Sequence, residues 1–214
     1  MKKYDQKDLT YRGWDVEFDT VIGRIGGKCL LTLVLLPSLL FIARLLDRKT
    51  QECVCEQFNW LEQVMRDNRE RCHGEGGVWW FFSSALTDRR SEMSDFKGLE
   101  RSLFPIESPY GDDVTRRTSV FYCDPYTSSQ KPHIEETHTL LRRVLPKRTS
   151  FDDLEQDQIN LICSHINSYS RASLEGMRPF DLVPAGFSDK LSVALGLELI
   201  EPDQVCLTPR LIGR

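Results

Sequence analysis

Apolar positions along the chain form two kinds of run. Some alternate or are continuous over a few residues; others recur every three to four residues. Residues 16–22 (VEFDTVI) read as a strand, followed by RIGGK, whose Gly26 and Gly27 suit a hairpin turn. Residues 30–36 and 39–43 are nearly uninterrupted apolar stretches bent at Pro37-Ser38, the pattern of strands buried on both faces. Over residues 50–65, Val54, Phe58, Leu61 and Val64 or Met65 recur at helical spacing and predict an amphipathic helix. A polar, glycine-bearing loop is expected over residues 66–77 and a buried strand over 78–86 (VWWFFSSAL), its consecutive aromatics reading as core rather than as a base-stacking surface. A short helix is expected over 95–103, a loop over 105–117 with its Pro, Gly and three acids, and a strand over 118–123.

The second half reads as helical. Residues 134–145 carry Leu140, Leu141, Val144 and Leu145 on one face. Residues 153–168 form a second helix, with Ser150 or Asp152 available as its cap, and residues 189–195 a short third one. The order is three strands, helix, strand, short helix, strand, helix, helix. It fits an α/β fold of the ribonuclease-H-like kind, a mixed five-stranded sheet flanked by helices.

Composition narrows the class. A chain of 214 residues with 40% hydrophobic and 28% charged residues suits one globular domain with a small appendage. The net charge of −4 argues against a nucleic-acid binder basic throughout. Residues 131–148, however, hold five Lys or Arg against two Glu, a local basic surface within an acidic chain. The seven cysteines are odd in number and include no CxxC, which predicts reduced thiols; Cys72-His73 lacks a second pair at zinc spacing. The apolar stretch 29–43 is shorter than the roughly 20 residues that cross a bilayer, and MKKYDQKD has no signal-peptide core. A cytoplasmic location with no membrane partner is expected.

Three acids stand at the ends or middles of separate elements. Asp19 lies inside the first strand, although Asp15 and Glu17 are close enough to be confused with it. Asp88 ends the aromatic strand, and Glu135 opens a helix. In a ribonuclease-H-like sheet the first and fourth strands are neighbours, so the two aspartates would meet and the helix would bring the glutamate. Two carboxylates about 4 Å apart repel by about 4 kcal/mol at an effective dielectric of 20, so such a cluster makes sense mainly around a cation. The bland alternatives are a turn residue for Asp88 and a helix-dipole acid for Glu135. His138 falls one turn after Glu135, and Lys131, Arg142 and Arg143 could contact a phosphate backbone or form a solvated face.

The same stretches carry a family resemblance. DTVIGR (residues 19–24), LTDRRSEM (86–93), FYCDPY (121–126), QKPHIEETH (130–138), RRVLPKRTSF (142–151) and HINSYSRASLEGMRPFDL (165–182) together resemble the catalytic domain of DDE transposases of the insertion sequence thirty family. The resemblance implies an integrase-type core over residues 14–183, a lead-in over 1–13 and a tail over 184–214. It implies Asp19, Asp88 and Glu135 as catalytic and metal-binding acids for two Mg²⁺ (or Mn²⁺) ions, Asp19 bridging both. It further implies strand cleavage and transfer on transposon ends and target DNA, with Lys131, His138, Arg142 and Arg143 on the DNA, in a bacterial, nucleoid-associated homo-oligomer. Some positions depart from the pattern. Arg89-Arg90 replaces a usual Asn-Gly, Met93 an aromatic, and the spacing of 46 residues between Asp88 and Glu135 is long. The family's N-terminal helix-turn-helix region also has no counterpart before the first strand. These departures raise an alternative, an inactive remnant that binds DNA or a protein partner. A standalone ribonuclease-H-like nuclease is a third reading, with nothing in the sequence that specifies an RNA–DNA hybrid.

Overall fold

The computed structural model describes residues 14–68, 82–107, 113–124, 128–183 and 189–213. Strand β1 (Trp14–Ile22) pairs antiparallel with β2 (Cys29–Leu36), and β2 pairs antiparallel with β3 (Leu40–Leu46). Helix α1 (Gln51–Asn68) then leads across to β4 (Phe82–Thr87), which lies parallel to β1. Strand β7 (Ser119–Tyr122) adds in parallel beside β4, and the sheet order is β3-β2-β1-β4-β7. With helices packed on it, this mixed sheet is the ribonuclease-H-like fold expected from the element order.

The near-continuous apolar runs are explained by burial on both faces: in β2 every residue but the last is buried. On one face of β1, Phe18 stacks edge-on against Phe58 of α1 at 5.1 Å, and Phe58 in turn meets Phe82 of β4 at 6.4 Å. Val54, Phe58, Leu61 and Met65 are the buried face of α1, as their spacing predicts. The opposite face of β1 carries Glu17 and Asp19 toward helix α3 (Pro132–Val144). Gly26 takes a φ of +81° in the β1–β2 turn. Gly23 is small for a different reason: a Cβ there would lie 2.1 Å from the Thr149 carbonyl oxygen, so the end of β1 is pressed against the chain that follows α3.

Several boundaries differ from the sequence pattern. The stretch read as a loop over 105–117 instead contributes to a two-stranded sheet, β5 (Arg101–Glu107) with β6 (Asp113–Arg116). It is anchored from below by Arg117, which is 1% exposed and donates to the Leu99 and Gly98 carbonyls, Asn59 Oδ1 and Glu62 Oε2. The preceding helix α2 is correspondingly short (Phe96–Glu100), with the Asp95 carboxylate accepting from the Gly98 N–H. Helix α1 extends to Asn68, past the expected end. Helix α4 (Gln156–Asn167) starts later than expected because a Glu155–Gln158 capping box closes its N-terminus rather than Ser150 or Asp152. The aromatic strand is described from Phe82 onward and runs to Thr87; Val78, Trp79, Trp80, Phe81 and Cys72-His73 lie outside the described residues. In the C-terminal portion, Leu191 of helix α5 (Asp189–Ala194), Leu195 and Leu197 are buried in the same core. The six described cysteines are free thiols. Among the described residues no helix is long and apolar enough to cross a membrane.

Candidate active site

Parallel pairing sets Glu17 opposite Leu86, so two residues further along each strand come Asp19 and Asp88. The structure thus brings these two predicted acids together, at the point where β4 gives way to a turn in which the Arg90 N–H donates to the Asp88 carbonyl. Asp19 is 8% exposed. What stands between the carboxylates is the ammonium of Lys131, 3.2 Å from Asp19 Oδ2 and 3.0 Å from Asp88 Oδ2. Lys131 is itself only 1% exposed, so it is not presented to solvent as a backbone-contacting lysine would be.

The loop before Lys131 is built to deliver it. Asp124 and Gln130 exchange two hydrogen bonds, Asp124 N–H to Gln130 Oε1 at 2.7 Å and Gln130 Nε2 to Asp124 Oδ2 at 3.1 Å. Lys131 is then the N-cap residue of α3, and Pro132, with no N–H to satisfy, opens the helix. A second cation approaches from the other side. Arg90 lies 3.6 Å from Asp19 Oδ1 and 3.5 Å from Asp88 Oδ2, whereas Arg89 turns away, 5.7 Å over the Tyr122 ring.

Glu135 does not join them. It is exposed on the first turn of α3, where its carbonyl accepts from the Thr139 hydroxyl at 3.2 Å, and among the described residues its carboxylate forms no ion pair. Glu17 instead is the glutamate turned inward: 3% exposed, it accepts from the Ile134 N–H at 2.8 Å and so satisfies a free donor at the start of α3. Burial pushes its carboxyl above the ordinary range, against the Ile134 hydrogen bond and the nearby His133 and Lys131. On the other face of β1, Thr20 donates to Glu92 at 2.7 Å and Lys49 pairs with the same carboxylate at 3.0 Å. Burial alone would raise the Glu92 carboxyl, but these hydrogen bonds outweigh it and hold it below its usual range.

His138 also faces inward. The Thr32 hydroxyl donates its one proton to the Asp19 carbonyl at 2.9 Å, so the 2.8 Å contact to His138 Nε2 requires the imidazole to donate there. Burial pushes its pKa down to about 4; Asp19 opposes this, and Lys131, Arg142 and Arg90 reinforce it. Neutral His138 thereby holds the backbone of β1 next to the acids. Arg142 is half-buried and donates to the Ile22 carbonyl at 2.9 Å, and Arg143 is exposed. Thr32 and Glu92 were not singled out from the pattern, their sequence signal being a polar residue in or beside an apolar strand, whereas Glu17 stood as a rival to Asp19 and Arg90 as a departure from the family pattern.

The donor chemistry of Asp19 and Asp88 suits a hard divalent ion. Their arrangement does not: a lysine and an arginine already neutralise the pair, and the third acid stands apart. Among the described residues no group of three or more His, Cys, Asp or Glu side chains is placed to hold a metal ion.

No protein-family model matches the chain. Individual relatives do. The chain is 28% identical over 162 residues to ORF3 of Spiroplasma virus SpV1-R8A2 B, provisionally named an integrase, covering 76% of this chain and 42% of that protein. It is 27% identical over 73 residues to the transposase InsI of insertion sequence element IS30A from Escherichia coli K12, covering 34% of this chain and 19% of the transposase. The chain thus spans less than half the length of these relatives. A solved simian T-cell lymphotropic virus intasome, in complex with the PP2A regulatory subunit B56 gamma, has a chain that matches with a TM-score of 0.52 at 14% identity. The match covers 80% of this chain and 55% of that one and bears on the fold. Fold, paired aspartates and relatives together define a resemblance to a DDE transposase or integrase core. Its transposase relatives include those of the insertion sequence thirty type.

Proposed function

We propose that this chain is the catalytic core of a DNA transposase or integrase, acting on phosphodiesters at element ends and in target DNA. The observation that carries the reading is the meeting of Asp19, inside β1, with Asp88, just past the end of the parallel strand β4, around a shared cation. Asp19 and Asp88 are the acids of the reacting centre, and Glu135, one helical turn beyond Lys131, is the third. Arg143 with Lys147 and Arg148, all exposed, forms the face for the DNA backbone. Arg142 lies at its edge. His138 and Thr32 fix the position of the Asp19 backbone. The catalytic unit spans residues 14–183, with Leu191, Leu195 and Leu197 beyond it packed into the same core; it acts as a homo-oligomer and works on DNA in the bacterial cytoplasm.

Relaxation of supercoiled plasmid in Mn²⁺ or Mg²⁺ tests this reading. Wild type should nick the plasmid, while Asp19→Asn, Asp88→Asn and Glu135→Gln should each lose at least ~100-fold in rate, the scale on which an essential charged group acts. Nicking undiminished in Asp88→Asn would overturn the assignment. One observation favours a second reading, an inactive DNA-binding core: the aspartates are neutralised internally and Glu135 points to solvent. Duplex binding by wild type without nicking under any ion would select it.

A further inference from the structure

The hairpin joining β1 to β2 carries an apolar side chain at its tip that the fold does not use. Residues 24–27 form a turn in which the Gly27 N–H donates to the Arg24 carbonyl at 3.3 Å, with Gly26 at positive φ in the third position. Ile25 fills the second position, where turns ordinarily carry proline or a polar residue, and it is 91% exposed. Ile22, at the end of β1, is also exposed at the base of the hairpin. A lone surface isoleucine needs no explanation. Its setting singles this one out. Arg142 donates to the Ile22 carbonyl at 2.9 Å, and Asp152 accepts from the Lys28 N–H at 2.8 Å and from Arg24 at 2.9 Å. With Gly23 pressed on the Thr149 carbonyl, the hairpin is clamped against the chain that follows α3. The tip therefore stands beside the exposed Arg143, Lys147 and Arg148, with the exposed Arg24 next to Ile25 in the chain. The exposed acids of α3, Glu135 and Glu136, lie at the other end of that helix, and Asp152 and Asp153 border the patch downstream. Arg148 takes a φ of +73°, a left-handed conformation that favours glycine. A polar residue at 25 and a glycine at 148 would serve the fold better.

We infer that Ile25 is an apolar wedge that packs into a base step of duplex DNA, while Arg143, Lys147 and Arg148 hold the phosphates beside it. This rests on the proposed reading of that basic face as the DNA surface. An apolar protein partner would desolvate these cations without pairing them. Duplex DNA offers both kinds of contact: phosphates for the cations, and apolar base faces for Ile25 once a step is opened. One isoleucine and its base residue bury far too little surface to hold a second copy of this chain by themselves. Because Asp152 fixes the hairpin before DNA arrives, little order is lost on binding. Ile22 lies three residues, roughly 10 Å, beyond Asp19 along β1, so the distorted step falls near the strand that bears the acid. Opening a step is unfavourable, and DNA whose stack a mismatch has already weakened is therefore the better ligand.

The test measures binding of the full chain, in EDTA, to two short fluorescein-labelled duplexes identical but for a central mismatch. Fluorescence anisotropy compares wild type, Ile25→Ser, Ile25→Leu and Arg148→Gly. Wild type should bind the mismatched duplex roughly tenfold more tightly than the matched one. Ile25→Leu should keep that preference, and Ile25→Ser should bind both duplexes alike. Arg148→Gly should weaken both by the same factor and, relieved of its left-handed arginine, melt at a higher temperature. A preference unchanged in Ile25→Ser, or absent from wild type, overturns the wedge and leaves the basic face as the DNA surface. Undiminished binding by Arg148→Gly overturns the assignment of Arg148. Sedimentation that shows a wild-type dimer become a monomer in Ile25→Ser gives the tip to a second copy and overturns the inference. Failure of wild type to bind either duplex overturns the underlying reading and the inference together.

Discussion

Asn167, at the end of α4, accepts from the Phe41 N–H at 2.7 Å and donates to the Phe41 carbonyl at 2.8 Å, taking the place of the strand that the edge strand β3 lacks. Gln156, at the other end of the same helix, does likewise: it accepts from the Leu45 N–H at 2.8 Å and donates to the Ala43 carbonyl at 3.0 Å. Two side-chain amides thus occupy four polar groups along the outer row of β3 and blunt an edge that would otherwise recruit another strand.

Removing the first amide should be costly. Asn167 is fully buried, so Asn167→Ala leaves a donor and an acceptor of Phe41 unpaired. The expected loss is about 3 kcal/mol, read as a lowered urea midpoint with an unchanged slope. A loss below about 1 kcal/mol would mean that water replaces the amide and that the edge is not held in this way.

The imidazole of His138 gives the protein an acid-sensitive stability. Its folded pKa, near 4, lies below the ordinary value of 6.5. Above pH 6.5 the side chain is neutral whether the chain is folded or not, and no penalty arises. As pH falls from 6.5 toward 4 the unfolded chain gains a proton that the folded one refuses, and up to about 3 kcal/mol of stability is lost. His165 adds to the loss in the same direction, because burial lowers its pKa too and its Nδ1 accepts from the Cys206 N–H at 3.1 Å. Denaturation midpoints of wild type and His138→Gln across this range should converge as the pH drops. Parallel curves would show that His138 does not titrate as described.

Lys131 is expected to matter for folding as much as for chemistry. Lys131→Met removes the buried cation from Asp19 and Asp88 and should lower stability by about 3 kcal/mol, the cost of leaving a buried charge uncompensated. A thermal melt coincident with wild type would show that Arg90 alone satisfies the pair.

The basic face makes a separable prediction. Arg143→Glu with Lys147→Glu should weaken duplex binding and reduce the slope of log affinity against log salt by about one for each phosphate no longer neutralised. Thermal stability should stay within ~0.5 kcal/mol, since both residues are exposed. An unchanged salt slope would place the DNA on another surface.

The sheet and its main helices were legible because burial leaves a local trace: apolar runs gave β1 to β3, and the 3.6-residue spacing gave α1 and α3. The meeting of Asp19 with Asp88 was legible from element order. What escaped depends on partners distant in the chain. Lys131 read as a DNA contact because nothing near it in sequence reveals carboxylates more than forty residues away. Glu17 read only as a rival to Asp19, since its partner, the Ile134 N–H, belongs to the helix start and not to a side-chain pattern. The β5–β6 pair was hidden by Pro105, Pro109 and Gly111, which signal a loop whatever flanks them. Residues 165–182 read only as a stretch resembling the family, and the structure shows Asn167 and His165 there holding β3 and the C-terminal chain in place.

The aspartate pair also serves as a gauge of alignment. Pairing between β1 and β4 shifts between Trp14 and Asp15, skipping one residue of β4, and only after that shift does the register bring Asp19 level with Asp88. Without it Asp19 would lie beside Thr87, the last residue of β4, and a one-residue slip of β1 would swing its carboxylate to the side of Phe58. Lys131 can reach two acids at once in a single registration of the two strands. A misassembled sheet would therefore leave the ammonium buried with one carboxylate or none, and the same electrostatics that shape the site reject the wrong fold.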